Sequence, residues 1–111
     1  MIAVVALAQQ KISRQHHRQK EKHENIISKQ IIRSATSIGA NINEAVYGNS
    51  KADFISKLHI ALKETGESIY WLKLFKKTSL IDYDFDSLLS LAEEIKRMLI
   101  ASLNTAKENA K

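Results

Sequence analysis

The sequence predicts an all-α chain of long helices, and three observations predict it. Its 111 residues include no proline and three glycines, and 44% are hydrophobic, which favours long helices over a turn-rich sheet. Residues 29–72, reading KQIIRSATSIGANINEAVYGNSKADFISKLHIALKETGESIYWL, keep a helical apolar period through two successive segments. The three clearest helical segments, of about 24 to 28 residues, span roughly 36 to 42 Å and so match in length as bundle partners do. A chain of this size forms one domain over residues 1–111, with no internal repeat, no linker and no room for a separate catalytic module.

The first predicted helix covers residues 2–22. Val5, Ala8 and Ile12 face inward, but the apolar stripe stops at SRQHHRQKEKHEN, where the inward positions become His16, Gln19 and His23. This first helix is therefore short or atypical. The opening MIAVVALA has no basic leader and is too short for a signal peptide or a membrane span, so it reads as the start of the helix and no membrane contact is expected. Cysteine is absent, which removes disulfides, thiolate metal sites and cysteine nucleophiles together. A reducing cytoplasm is the expected location.

The second predicted helix, 24–47, carries Ile27, Ile31, Ala35, Ile38, Ile42 and Val46 on one apolar face. Ser34, Asn41, Gln30, Ser37, Glu44 and Arg33 follow in angular order down one flank. A solvated helix scatters its charge over the outer surface, so this graded band beside the core is expected to meet another helix or subunit. Gly48 is expected to close the helix in the left-handed conformation.

The third, 51–78, opens with Ser50 and Asp53, a pair spaced to cap orphan backbone N–H groups. Its core face holds Phe54, Leu58, Ala61, Leu62, Thr65, Ile69 and Leu72, while Ile60, Trp71 and Leu74 lie nearly opposite. A helix apolar on two faces cannot bury both inside one small bundle. The second face, with Glu64 and Glu67 between its apolar residues, therefore predicts a subunit interface. The fourth, 84–107, follows the loop LIDYDFD with Asp82 or Asp84 as its cap, and Leu88, Leu91, Ala92, Ile95, Met98, Leu99 and Ala106 form its core stripe. Gly39 and Gly66 border core stripes and are expected to allow close helix approach.

The blocks KQIIRSATSIGANINEA and DFISKLHIALKETGESIYWL closely resemble the signature of small proteins encoded in intervening sequences of bacterial large-subunit (23S) ribosomal RNA genes. The resemblance runs over roughly residues 25 to 105, and a match across two helices and their turn is more specific than a short motif. It implies an antiparallel up-and-down four-helix bundle that assembles into a ring, often a pentamer. Arg33, Ser37, Asn41 and Glu44 are the polar residues of the matching motif. Related accessory proteins of diversity-generating retroelements are basic pentamers that bind nucleic acid, so the resemblance also implies such a partner.

The charge is uneven. Residues 1–33 hold seven Lys or Arg against Glu21 and Glu24, an excess of +5, whereas residues 34–111 hold ten of each sign. Lys11, Arg14, Arg18, Lys20, Lys22, Lys29 and Arg33 are therefore the candidate contacts to RNA or another nucleic acid, because phosphate attraction needs only clustered charge. A ring of five would carry about +25 and would add weak contacts by avidity. No aromatic interleaves this segment, so the expected binding is salt-sensitive and unspecific. The alternative is a protein-interaction scaffold whose basic segment is a solvated face.

Catalytic and metal chemistry find less support. Glu64 and Glu67 sit one turn apart, as carboxylates of dinuclear bundle sites do, but no Glu-x-x-His pair accompanies them: Tyr47 follows Glu44 and Lys96 follows Glu93 at that spacing. The competing reading pairs Glu64 or Glu67 with Arg33, Asn41 or a lysine across a helix or subunit boundary, where the benefit is register and partner selectivity. His16, His17 and His23 have neither cysteine nor a second convergent His pair to complete a zinc site. Arg18 and His23 have the Arg-x4-His spacing of a class of helical ribonucleases, in which His does acid-base work and Arg steadies the phosphate. In a segment about half Arg, Lys and His, that spacing arises by chance. No phosphate loop, serine triad or dinucleotide fingerprint is present. The expectation is a non-catalytic homo-oligomer without cofactor or metal, with RNA cleavage the third alternative.

Overall fold

The computed structural model describes residues 22–109. These form three helices, α1 (Lys22–Val46), α2 (Lys51–Thr78) and α3 (Phe85–Asn109), with no strand among the described residues. They are the second, third and fourth predicted segments, with ends within two residues of those expected. Apart from Lys22, the predicted helix at 2–22 lies outside the described residues, and so do Lys11, Arg14, His16, His17, Arg18 and Lys20.

The helix ends follow from local chemistry. Ser50 is extended (φ −148°, ψ 163°) and its hydroxyl accepts from the Asp53 amide at 3.1 Å, which opens α2. Of the two candidate caps for α3, Asp84 takes the role: it accepts from the Ser87 amide at 3.1 Å and from the Ser87 hydroxyl. Those bonds hold its carboxyl below the ordinary value. α2 closes at Ser79, which is left-handed (φ 55°, ψ 24°), with Lys76 and Lys77 in the last turn against the negative end of the helix.

Gly48 departs from expectation. No described glycine has positive φ, and α1 ends instead on bonds from the Tyr47 amide to Asn43 O and from the Gly48 amide to Ala45 O. A Cβ at position 48 would lie 3.3 Å from both Ala45 O and Glu44 O, so glycine is favoured there by close packing on the helix end. Gly39 and Gly66 are also corrected: a Cβ at either would meet nothing within 4 Å, so neither admits a neighbouring helix of the described residues.

Pairs between helices give the topology. Glu44 meets Lys57, Ser34 meets Ser68 and Arg33 meets Glu64 and Glu67, so α1 and α2 run antiparallel. Lys76 meets Asp86, while Leu58 clusters with Leu99 and Leu103, so α2 and α3 do the same. No Cα of α1 lies within 8 Å of a Cα of α3, which makes α2 the shared central helix.

The core has two apolar parts. Near the turn between α2 and α3, Ile27, Ile31, Ile69, Leu72, Phe75, Ile81, Phe85, Leu88 and Ala92 pack together. Toward the turn between α1 and α2, Ala45, Leu58, Ala61, Leu99 and Leu103 form the second part. Between them lies a buried polar layer of Ser34, Thr65 and Ser68. Each hydroxyl there is satisfied: Ser34 donates to Gln30 O at 2.9 Å, Thr65 to Ala61 O at 2.8 Å and Ser68 to Ser34 Oγ at 2.8 Å. Unpaired, a buried hydroxyl costs about 1 to 3 kcal/mol, so these bonds are what make the layer tolerable.

Several residues expected in the core stay open. Val46, Leu91 and Met98 are exposed, and with Ile42, Phe54, Ile95 and their neighbours they line an apolar groove of about 450 Å³ between α1 and α3. The cause is the separation of those two helices: the described chain supplies no element to cover that side.

Candidate functional site

The polar band expected on α1 meets α2 of the same chain. Arg33 is held at its centre: Nη1 lies 3.4 Å from Glu64 Oε2, Nη2 donates to Glu67 Oε1, and Nε donates to Gln30 Oε1 at 3.2 Å. The Glu67 hydrogen bond is the largest influence raising the Arg33 pKa. Reciprocally, Arg33 first and Trp71 second hold the Glu67 carboxyl below its ordinary value. Further along the seam, Glu44 pairs with Lys57 at 3.0 Å and raises the lysine's pKa. Asn41 stays within α1, donating to Ser37 O at 2.9 Å and Ser37 Oγ at 3.1 Å.

This arrangement separates two roles expected of Arg33. With two carboxylates against its guanidinium, it is a seam residue, although its side chain stays about half exposed and charged. Lys29 is exposed, and Lys22 opens α1. Glu64 and Glu67 face Arg33, and among the described residues no group of three His, Asp or Glu could hold a metal ion.

The proposed second face of α2 is less free than its spacing suggests. Ile60 is exposed, but Trp71 and Leu74 are half-buried against the core part containing Ile27 and Phe75. His23, Ile26, Thr78 and Leu80 join them around a groove of about 440 Å³. Trp71 Nε1 donates to Glu67 Oε1 at 3.3 Å, and the indole meets the Tyr70 ring edge-on, with centroids 5.1 Å apart at 73°. Tyr70 stands in the matching block that ends YWL but was given no role by sequence. Its available signal was its place at i, i+3, i+7 with Lys73 and Lys77, outside the basic N-terminal run.

A family model for 23S rRNA-intervening sequence proteins matches residues 5–101. The chain belongs to that family. It is also similar to the crystal structure, at 1.70 Å resolution, of a protein with unknown function from the S23 ribosomal protein family of Bacteroides thetaiotaomicron VPI-5482. The TM-score is 0.82 and the identity 41%, covering 92% of this chain and 93% of that one. No curated protein matches the chain. In this 23S rRNA-intervening sequence protein, Arg33 and Glu44 of the motif join α1 to α2, while Ser37 and Asn41 bond along α1. No described helix is long and apolar enough to cross a membrane.

Proposed function

We propose that this chain is a non-catalytic, homo-oligomeric accessory protein that binds RNA through its basic N-terminal segment. The observation that carries the reading is the charge: the whole +5 excess lies within residues 1–33. Phosphate attraction by such a cluster requires no pocket or cofactor. The antiparallel order supports it further, because the end of α2 bearing Lys73, Lys76 and Lys77 lies beside the start of α1. Asp82, Asp84 and Asp86 at the same end offset part of that charge, and Asp86 pairs with Lys76.

The same reading makes the fold an up-and-down four-helix bundle completed by residues 2–22. The groove of Ile42, Val46, Phe54, Leu91, Ile95 and Met98 needs an apolar partner, and Val5, Ala8 and Ile12 form such a stripe. Self-assembly, with a pentamer favoured, would gather the basic segments of several copies at one end.

Retention on immobilised RNA across a salt series tests this function. A variant with Arg14, Arg18, Lys20 and Lys22 changed to Gln is expected to elute at lower salt, its log–log salt slope reduced by about 2.8 if each residue meets one phosphate of a single strand. Identical elution of the two proteins refutes the reading and leaves the scaffold alternative. RNA cleavage that disappears on His23→Ala would instead make the chain an enzyme.

A further inference from the structure

We propose that Tyr70, Lys73 and Lys77, on the outer face of α2, form a second contact for single-stranded RNA, in which an unpaired base stacks on Tyr70 and the two lysines meet flanking phosphates. This rests on the RNA-binding reading above but places a contact outside the segment to which that reading assigns it.

The three residues share one helix face at i, i+3 and i+7, so Tyr70 and Lys77 lie about 10 Å apart along the axis and the lysines about 6 Å apart. With Leu74, Lys76 and Leu89 they line a concave surface of about 580 Å³. Tyr70 is 59% exposed, a large aromatic surface left to solvent. Its orientation is nevertheless constrained: the ring packs edge-on against Trp71, which is tied to Glu67, which is tied to Arg33. A stacking platform held in place by its neighbours loses little freedom when a base arrives.

The charges divide in an informative way. Lys76 is paired with Asp86 at 2.6 Å, whereas Lys73 and Lys77 form no ion pair among the described residues. The helix dipole accounts for lysines in the last turn, Lys76 and Lys77, but it falls off before Lys73 and has no bearing on Tyr70. An unpaired base with its flanking phosphates is a ligand that uses the ring and the ammonium groups together. Bases of an A-form duplex are stacked inside and could engage only the lysines.

Fluorescence anisotropy with a short unstructured RNA and its duplex tests the proposal. Tyr70→Ala is expected to weaken single-strand binding by about fivefold to tenfold without changing the salt slope or duplex binding, and Tyr70→Phe to restore it. Lys73→Gln with Lys77→Gln is expected to flatten the single-strand salt slope by about 1.4. If these variants bind like the wild type while the N-terminal glutamine variant binds less tightly, the α2 site is wrong and the general reading survives. If the wild type binds no RNA, both fall. If Tyr70→Ala alters the mass in solution and leaves RNA affinity unchanged, the face is a contact between copies, which also overturns the proposal.

Discussion

Trp71 is the chain's single tryptophan, and its indole donates to a carboxylate that also accepts from Arg33, so its emission reports on the seam. The Glu67 carboxyl is held below its ordinary value, first by Arg33 and then by Trp71. Because the folded value is depressed, the stabilisation is complete above the ordinary glutamate pKa, about 4.3, and is lost as pH falls through the lowered folded value. Glu67→Gln removes the charge at every pH. The expected result is a neutral-pH emission close to that of acidified wild type, no remaining acid step, and a stability loss of no more than about 1 kcal/mol because the pair is partly exposed. An acid step of undiminished size in the variant would assign it to another group. The sequence narrowed the partner of Glu64 and Glu67 to Arg33, Asn41 or a lysine, and the structure takes Arg33 with both. The edge-on contact of Tyr70 with Trp71 was not legible, because adjacent residues on a helix point about 100° apart and only the surrounding packing brings their rings together.

At the scale of the helix, the segments could be read closely because composition, apolar period and caps agree with one another. Ser50 was identifiable as a cap, and the last helix's cap was narrowed to Asp82 or Asp84, because a short oxygen-bearing side chain stands where a helix begins with orphan amides. Gly48 departs from its expected left-handed close, and Gly39 and Gly66 meet no described helix, because sequence shows that a Cβ is missing but only coordinates show what the missing atom would touch. Two substitutions separate these effects. Gly66→Ala places a methyl in open space within α2 and is expected to raise stability by about 1 kcal/mol through helix propensity. Ser79→Gly relieves a left-handed non-glycine residue and is expected to raise it by a similar or smaller amount. Urea midpoints measure both. A lower midpoint for Gly66→Ala would mean that another copy, or chain outside the described residues, occupies the space beside that glycine.

For the whole molecule, sequence correctly placed most of the core but not its open side. Ile42, Val46, Leu91 and Met98 belong to apolar stripes, and a stripe does not reveal which neighbour covers it. The same ambiguity affects the proposed interface. Trp71 and Leu74 already pack on their own core, so a charge there would disturb the fold together with any assembly. Ile60 is the cleaner probe, being apolar and 39% exposed. Light scattering at several concentrations is expected to find a multimer, and Ile60→Lys is expected to weaken its association by about tenfold or more with helix content unchanged. Unchanged mass in the variant would remove Ile60 from the interface.

The two parts of the core also differ in strength. The part containing Phe75, Phe85 and Leu88 is closed by aromatic rings, whereas the other, built on Ala45, Leu58, Ala61, Leu99 and Leu103, has no buried aromatic and borders a groove that no described element covers. Amide exchange is therefore expected to run faster where α1 passes into α2 than around Phe75 and Phe85, as a zip is drawn from its lighter end. A partner seated over Val46 and Met98 would act as the latch that slows it.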